Sequence, residues 1–397
     1  MKRPSRVTAV SVVLALGVSG GFALQASGFA DGPDERVLIS DSTRPTNVPQ
    51  TPEQVERGRE VGRALPQKEL LQPSLDSALR SFRPAYGKKQ LQGDIKCASS
   101  DVLPGLAKKW AAELKSYYPK VNVSIEPPYA GSLGAIELIK GNLDCVFVSR
   151  ELKPTDVSTF KDAFGYAPFS VPISGGSYRH FGFLDSVAFA VNKANPIEKL
   201  SFDQLDRILS TTHNRGGTPI KTWGDLGLGG DWADEPIHIV GIKPWNGFEE
   251  FVRQNVMDAS GKRGEWRNET SPDEDVTFYP TVFDVAGDIA RDRYALGYTG
   301  MAYVDEPVKL LGLSQHDGEP GVSPTYENVA RATYPLSRVI YLNSNNDPAK
   351  PANPILSELT KLILSKQGQE IVQDQGIYMP LRSEQAMKSK ALLTANP

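Results

Sequence analysis

Residues 129–152 read YAGSLGAIELIKGNLDCVFVSREL, and their order decides the fold expected of the chain. Gly131-Ser132-Leu133-Gly134 is a turn of small residues, where glycine tolerates positive φ and lets another group approach the backbone closely. Ala135, Ile136, Leu138 and Ile139 follow at the spacing of a short helix with one apolar face, and Gly141-Asn142 supplies a stop. Asp144 to Val148 is then a β-rich apolar run, the pattern of a central parallel strand, with Ser149 and Arg150 at its carboxyl end. Free N–H groups at the start of a helix attract anions, and a serine and an arginine at a neighbouring strand end add donors. The unit therefore reads as an oxyanion or small-molecule pocket. It also fits an ordinary helix-to-strand connection with a solvated Arg150, because glycine turns before helices are common.

Upstream, residues 94–98 predict a strand, Ser99-Ser100-Asp101 a polar turn, residues 103–118 a helix with Leu106, Trp110 and Leu114 on one side, and residues 121–125 a second strand. This alternation implies a parallel, doubly wound sheet covered by helices on both faces. In such sheets ligands sit beyond the carboxyl ends of the strands. That rule gathers Ser99, Ser100, Asp101, Ser132, Gly134, Ser149 and Arg150 at one edge.

The same pattern returns downstream. Residues 183–192 form an apolar strand, residues 201–209 a helix with Ser201 as N-cap and Gln204 completing a capping box, and residues 236–241 another strand. Lys243 to Gly247 is a turn before a helix over 248–257. Residues 258–275 are charged and show no periodicity. A helix over 283–291, strands over 295–298 and 339–342, and helices over 354–364 and 368–373 complete the reading. Two α/β halves joined by a pair of extended crossings, 183–192 and 339–342, would enclose a cleft. The expected division is lobe 1 over 93–182 and 335–397, and lobe 2 over 183–334.

At the amino end, Lys2, Arg3 and Arg6 precede a mostly apolar run over 7–24, and Gly28 and Ala30 suit cleavage after residue 30. Residues 1–30 read as a secretory signal peptide, with a retained anchor as the alternative. Residues 31–92 are rich in Pro, Arg and Ser, with helical patches over 52–65 and 69–82, and read as a linker or a strap on the following domain. Removal of the signal leaves roughly 365 residues, more than one core usually serves. The charges balance, 44 Lys+Arg against 47 Asp+Glu, so no basic field exists to hold nucleic acid or anionic lipid. The two cysteines, Cys97 and Cys145, are either bridged, as in many exported proteins, or a pair of buried thiols in adjacent strands. His180, His213, His238 and His316 have no metal-ligand spacing, and no Gly-x-Ser-x-Gly elbow marks a serine hydrolase.

Taken in order, Gly131 to Gly134 with Asp144 to Arg150, Leu200 to Leu205 with Ile220 to Trp223, Ala295-Leu296-Gly297-Tyr298, Tyr334-Pro335-Leu336-Ser337-Arg338, and Gly368-Gln369 with Gly376 to Leu381 resemble the phosphate-binding proteins of bacterial ABC importers. The resemblance covers about residues 93–381. It implies the type 2 periplasmic binding fold, two doubly wound α/β lobes on a two-strand hinge, with phosphate or a similar oxyanion as ligand. It further implies an ABC permease as partner, a periplasmic or secreted monomer without stable membrane insertion, and no enzymatic activity, cofactor or metal.

The resemblance assigns the ligand to Ser99, Ser100, Asp101, Ser132, Gly134, Ser149, Arg150, Lys243, Asn246 and Gly247. Four positions depart from the family pattern. Asp101 stands where threonine is usual. In the fourth element the arginine position falls on Ile242, and the serine and threonine positions fall on Asn246 and Phe248. Asp101 would either accept the proton of a monoprotonated oxyanion, favouring hydrogen phosphate over sulfate, or pair with Arg150 and weaken the site. A secreted relative acting through a protein partner, with weak or altered ligand binding, is the alternative function.

Overall fold

A computed structural model describes residues 75–87, 90–100, 103–126, 132–148, 152, 154–179, 184–244, 247–280 and 282–395. Its first sheet has the order β2-β1-β3-β12-β4, built from β1 (Gly93–Ser99), β2 (Val121–Ile125), β3 (Cys145–Val148), β4 (Phe169–Gly175) and β12 (Val339–Ser344). Strands β1, β2 and β3 are mutually parallel, whereas β12 runs antiparallel to both β3 and β4. The second sheet has the order β10-β5-β9-β7-β8, from β5 (Val187–Asn192), β7 (His238–Ile242), β8 (Val276–Tyr279), β9 (Ala295–Gly300) and β10 (Val308–Leu310). Here β7 is parallel to β8 and β9, and β5 is antiparallel to β9 and β10. A small parallel pair, β6 (Lys199–Ser201) with β11 (Gly312–Ser314), stands apart. The expected all-parallel sheets are therefore mixed. Each sheet contains the strand that follows a passage from the other, and that strand enters from the opposite end.

Side chains of the first sheet alternate between two cores, as a pleated strand requires. Ile95, Cys97, Cys145 and Phe147 pack beneath α1 (Pro104–Tyr117), α8 (Pro354–Ile363) and α9 (Lys366–Asp374). Ala98, Val146 and Val148 pack on the other face, with Leu138 of α2 (Ser132–Ile139) and Phe160 of α3 (Pro154–Phe164). Because both of its faces are covered, β3 (CVFV) reads as a continuous apolar run. Trp110 of α1 stacks on Phe147 at 5.8 Å and donates from Nε1 to the Gly368 carbonyl at 2.9 Å. Gln369 is fully buried, donating to the carbonyls of Ile173 and Ile363 while its Oε1 accepts from the Leu381 N–H. One side chain thus ties α9 to β4 and to the segment before α10 (Ser383–Ala395).

In the second half, α4 (Phe202–Leu209) begins with the expected capping box between Ser201 and Gln204. Helix α5 (Gly247–Val252) is shorter than the 248–257 helix expected and continues as a π turn over Arg253–Met257. Helices α6 (Val285–Arg291) and α7 (Tyr326–Ala330) complete this half. The patternless segment 258–275 is held by charge rather than by an apolar face. Arg267 is bidentate on Asp273, Arg253 bonds Glu249 and Glu269, and the buried Trp266 lies over Tyr298 at 5.5 Å.

The strap is described from Leu75 onward. Leu79, Phe82 and Leu91 are buried in the first core, the Phe82 N–H donates to Gln367, and the Lys366 N–H donates to the Arg80 carbonyl. The helix expected over 69–82 is not formed from residue 75. Instead Asp76 turns the chain, accepting from the N–H groups of Ala78 and Ser383. The expected signal peptide and the patch over 52–65 lie outside the described residues, among which no helix is long and apolar enough to cross a membrane. Cys97 and Cys145 are directly opposite in the β1/β3 register and form a disulfide, which resolves the alternative left by the sequence.

Candidate functional site

Two strand edges carry the expected ligand groups, and the topology turns them towards each other. Strands β1, β2 and β3 end at one edge of the first sheet. Strand β4 also ends there, and β12 begins there. In the second sheet, β7, β8 and β9 end at the edge where β5 begins. The chain therefore passes from carboxyl edge to carboxyl edge between β4 and β5, and returns through residues 331–338; of the crossings expected over 183–192 and 339–342, residues 187–192 and 339–342 lie instead within the sheets as β5 and β12.

These crossings are bonded to each other. The Gly176 N–H donates to the Arg338 carbonyl at 2.8 Å, and the Val187 N–H to the Leu336 carbonyl at 3.3 Å. Tyr334 Oη donates to the Val187 carbonyl at 3.0 Å. A Cβ on Gly176 would meet the Leu184 carbonyl oxygen at 2.4 Å and Arg338 Cβ at 2.5 Å, so only glycine fits.

On the first edge, Ser99 closes β1 opposite Phe147, and the Ser100 N–H donates to the Phe147 carbonyl at 2.9 Å. Both side chains are buried, and neither Oγ has a hydrogen-bond partner. A buried hydroxyl without a partner costs free energy, so two at a strand end mark a place where a ligand can supply the acceptor. Ser132 opens α2 and the buried Gly134 lies in its first turn. Asp101, Ser149 and Arg150 lie outside the described residues. So does Asn246, and with it the proposed contact between Asp101 and Arg150.

On the second edge, Lys243 follows β7, with its N–H on the Tyr279 carbonyl at 2.8 Å and its side chain exposed. Gly247 opens α5. Ile242, at the position of the family's arginine, is fully buried in the second core. The structure thus brings Ser99, Ser100, Ser132 and Gly134 to the carboxyl edge of the first sheet and Lys243 and Gly247 to that of the second.

Sequence reasoning missed the residues around the crossings. The Arg338 guanidinium lies 4.2 Å from the ring centre of Phe251 and 5.6 Å from that of Phe248. Asp185 is fully buried, and its Oδ2 accepts from the Ala302 N–H at 2.8 Å. Burial pushes its carboxyl up to about 7, against the opposing pull of the Ala302 N–H and of Arg338. The available signal was one acid inside the apolar run FLDSVAFAVN. Elsewhere, His238 pairs with Asp292 and His316 with Asp203. Among the described residues no group of His, Cys, Asp and Glu is arranged to hold a metal ion.

A family model for the PBP superfamily domain matches residues 84–367. The phosphate-binding protein PstS of Pseudomonas aeruginosa is 33% identical over 318 residues, covering 80% of this chain and 91% of that protein. Among solved structures, PstS from Borrelia burgdorferi is 13% identical with a TM-score of 0.49, covering 73% of this chain and 100% of its own. An ABC-type phosphate transport receptor from Vibrio cholerae is 18% identical with a TM-score of 0.47, covering 72% and 99%. By the family match and the extent of its identity to the Pseudomonas protein, the chain belongs to the PBP superfamily, in the family of the PstS phosphate-binding proteins.

Proposed function

We propose that the chain is an extracytoplasmic solute-binding protein that captures phosphate or a related oxyanion between its two sheet edges and presents it to an ABC permease. The observation that carries this reading is the pair of buried hydroxyls of Ser99 and Ser100, without a partner among the described residues, at the carboxyl end of β1. An anion entering a dry site needs donors for nearly all of its oxygens. Serine hydroxyls, helix N–H groups, the Arg150 guanidinium and Lys243 from the facing edge supply them. The two sheets act as lobes that close on the ligand about the paired crossings. Binding and release, without bond chemistry, is the activity this donor set suits, and a protein exported as a monomer by the segment 1–30 would carry it out in the periplasm or outside the cell. Calorimetric titration of the purified mature chain with phosphate, sulfate, arsenate and molybdate tests the proposal. Saturable phosphate binding that is weakened in Ser99→Ala and Ser100→Ala is expected. Absence of heat with all four anions would remove the capture role.

A further inference from the structure

A cavity of about 190 Å³ lies where α5 and its π turn meet the return crossing. It is lined by Phe251 of α5 and Gln254 of the π turn, and by Tyr334, Ser337 and Tyr341 from the crossing and β12. Tyr341 packs on the core that contains Leu138 of α2, so the cavity stands on the α2 face of the first sheet. Tyr341 also pairs with Val148, the last residue of β3, and β3 in turn sets Phe147 opposite Ser99. The cavity is therefore one strand from the end of β3 and two from that of β1, roughly 5 and 10 Å at the usual strand spacing. No charged side chain lines it among the described residues. Asn255, also in the lining, is committed through Nδ2 to the Phe251 carbonyl at 2.8 Å, and Tyr334 Oη to that of Val187. The Ser337 hydroxyl and Gln254 Nε2 remain, both buried with no hydrogen-bond partner among the described residues, and Ser337 is only 8% exposed. Two neutral donors set among aromatic rings call for acceptors that carry no charge.

We propose that this cavity receives the uncharged polyol group of a phosphate monoester whose phosphoryl group is held by Ser99 and Ser100 at the carboxyl end of β1. The inference rests on the capture reading for the anionic end of the ligand and adds the organic end. An apolar cavity of ~150 Å³ already holds benzene, so the space here accepts a chain the size of glycerol. Polyol hydroxyls accept from Ser337 and Gln254 as water does, while the C–H groups between them cover the rings of Phe251, Tyr334 and Tyr341. A buried donor without a partner costs free energy, which such a ligand recovers. A purely hydrocarbon substituent fills the same space and leaves both donors unpaired. Because the lining comes from α5 and its π turn on one side and from β12 on the other, the bound ester touches both halves of the chain and favours their closed arrangement.

Calorimetric titration with sn-glycerol 3-phosphate, n-propyl phosphate and inorganic phosphate makes the test. The glycerol ester is expected to bind about tenfold more tightly than the propyl ester, which has the same chain without hydroxyls. Ser337→Ala is expected to raise the dissociation constant of the glycerol ester about fivefold and to leave those of the propyl ester and of inorganic phosphate unchanged. Gln254→Leu should give the same pattern, and it decides the question if Ser337→Ala does not fold. Phosphate binding without ester binding, equal affinity for the two esters, or a glycerol ester constant unmoved by either substitution would overturn the proposal while leaving the capture reading intact. Binding of the glycerol ester without binding of inorganic phosphate would instead remove capture of the free anion and keep the polyol site. No binding of any of the three would remove both.

Discussion

Single polar residues decide what the two edges can hold. Ser99 and Ser100 carry hydroxyls with no partner, so replacing either by alanine removes a donor from the proposed site without breaking a bond inside the protein. Loss of one such hydrogen bond to a charged ligand costs about 1.5–3 kcal/mol, roughly a 10- to 150-fold rise in the phosphate dissociation constant. Thermal stability should stay level or rise slightly, and calorimetry beside a melting curve checks both. The opposite outcome is expected at Arg253, which is 1% exposed and bonded to Glu249 at 2.7 Å. Arg253→Met leaves Glu249 buried without its cation, a loss of about 3–5 kcal/mol in chemical denaturation. Glu249 also accepts from Trp266 Nε1 at 2.6 Å, so near-ultraviolet dichroism of that tryptophan should change in the same variant.

At the scale of elements, the disulfide and the crossings are the two points of control. Cys97 lies two residues before Ser99 and pairs in register with Cys145, so the bridge fixes the β1/β3 register that sets Ser99 opposite Phe147. It closes a sequence separation of 48 residues, and reduction should cost about 2–5 kcal/mol of stability, read as a lower denaturation midpoint with reductant present. Gly176 is the tightest point of the crossings. Gly176→Val would press a branched side chain into the Leu184 carbonyl and Arg338, and overpacking of this kind costs about 1–3 kcal/mol. Exchange protection of the Val187 amide should fall with it. Strand, helix and cap signals were legible here because they are local: Ser201 with Gln204, or the helix opening at Pro354, need only their neighbours. The stretch 258–275 was not legible, because its order comes from Arg253 and Arg267 pairing with acids across the loop, a pattern with no period.

For the molecule as a whole, Asp185 makes stability depend on pH. Its carboxyl titrates near 7 when folded, against a usual value of 3.8, so between these values the native state binds more protons than the unfolded chain. Its contribution is therefore fully present below about pH 4 and is lost as pH rises through 7, on the order of 4 kcal/mol if the whole shift is expressed. Denaturation midpoints of wild type and Asp185→Asn should diverge across that window, with the asparagine variant the more stable at pH 8.

The sequence by itself determined the α/β fold class and the family, since apolar runs, glycine turns and caps are written in residues close along the chain. Only the tertiary structure decided that the sheets are mixed, that Cys97 meets Cys145, and that the buried Asp185 accepts from the Ala302 N–H. Those outcomes depend on segments brought together from distant positions, 185 with 302, and 97 with 145. No local pattern encodes such meetings, because the free energy that selects them comes from burial and pairing that exist only once both partners have left water.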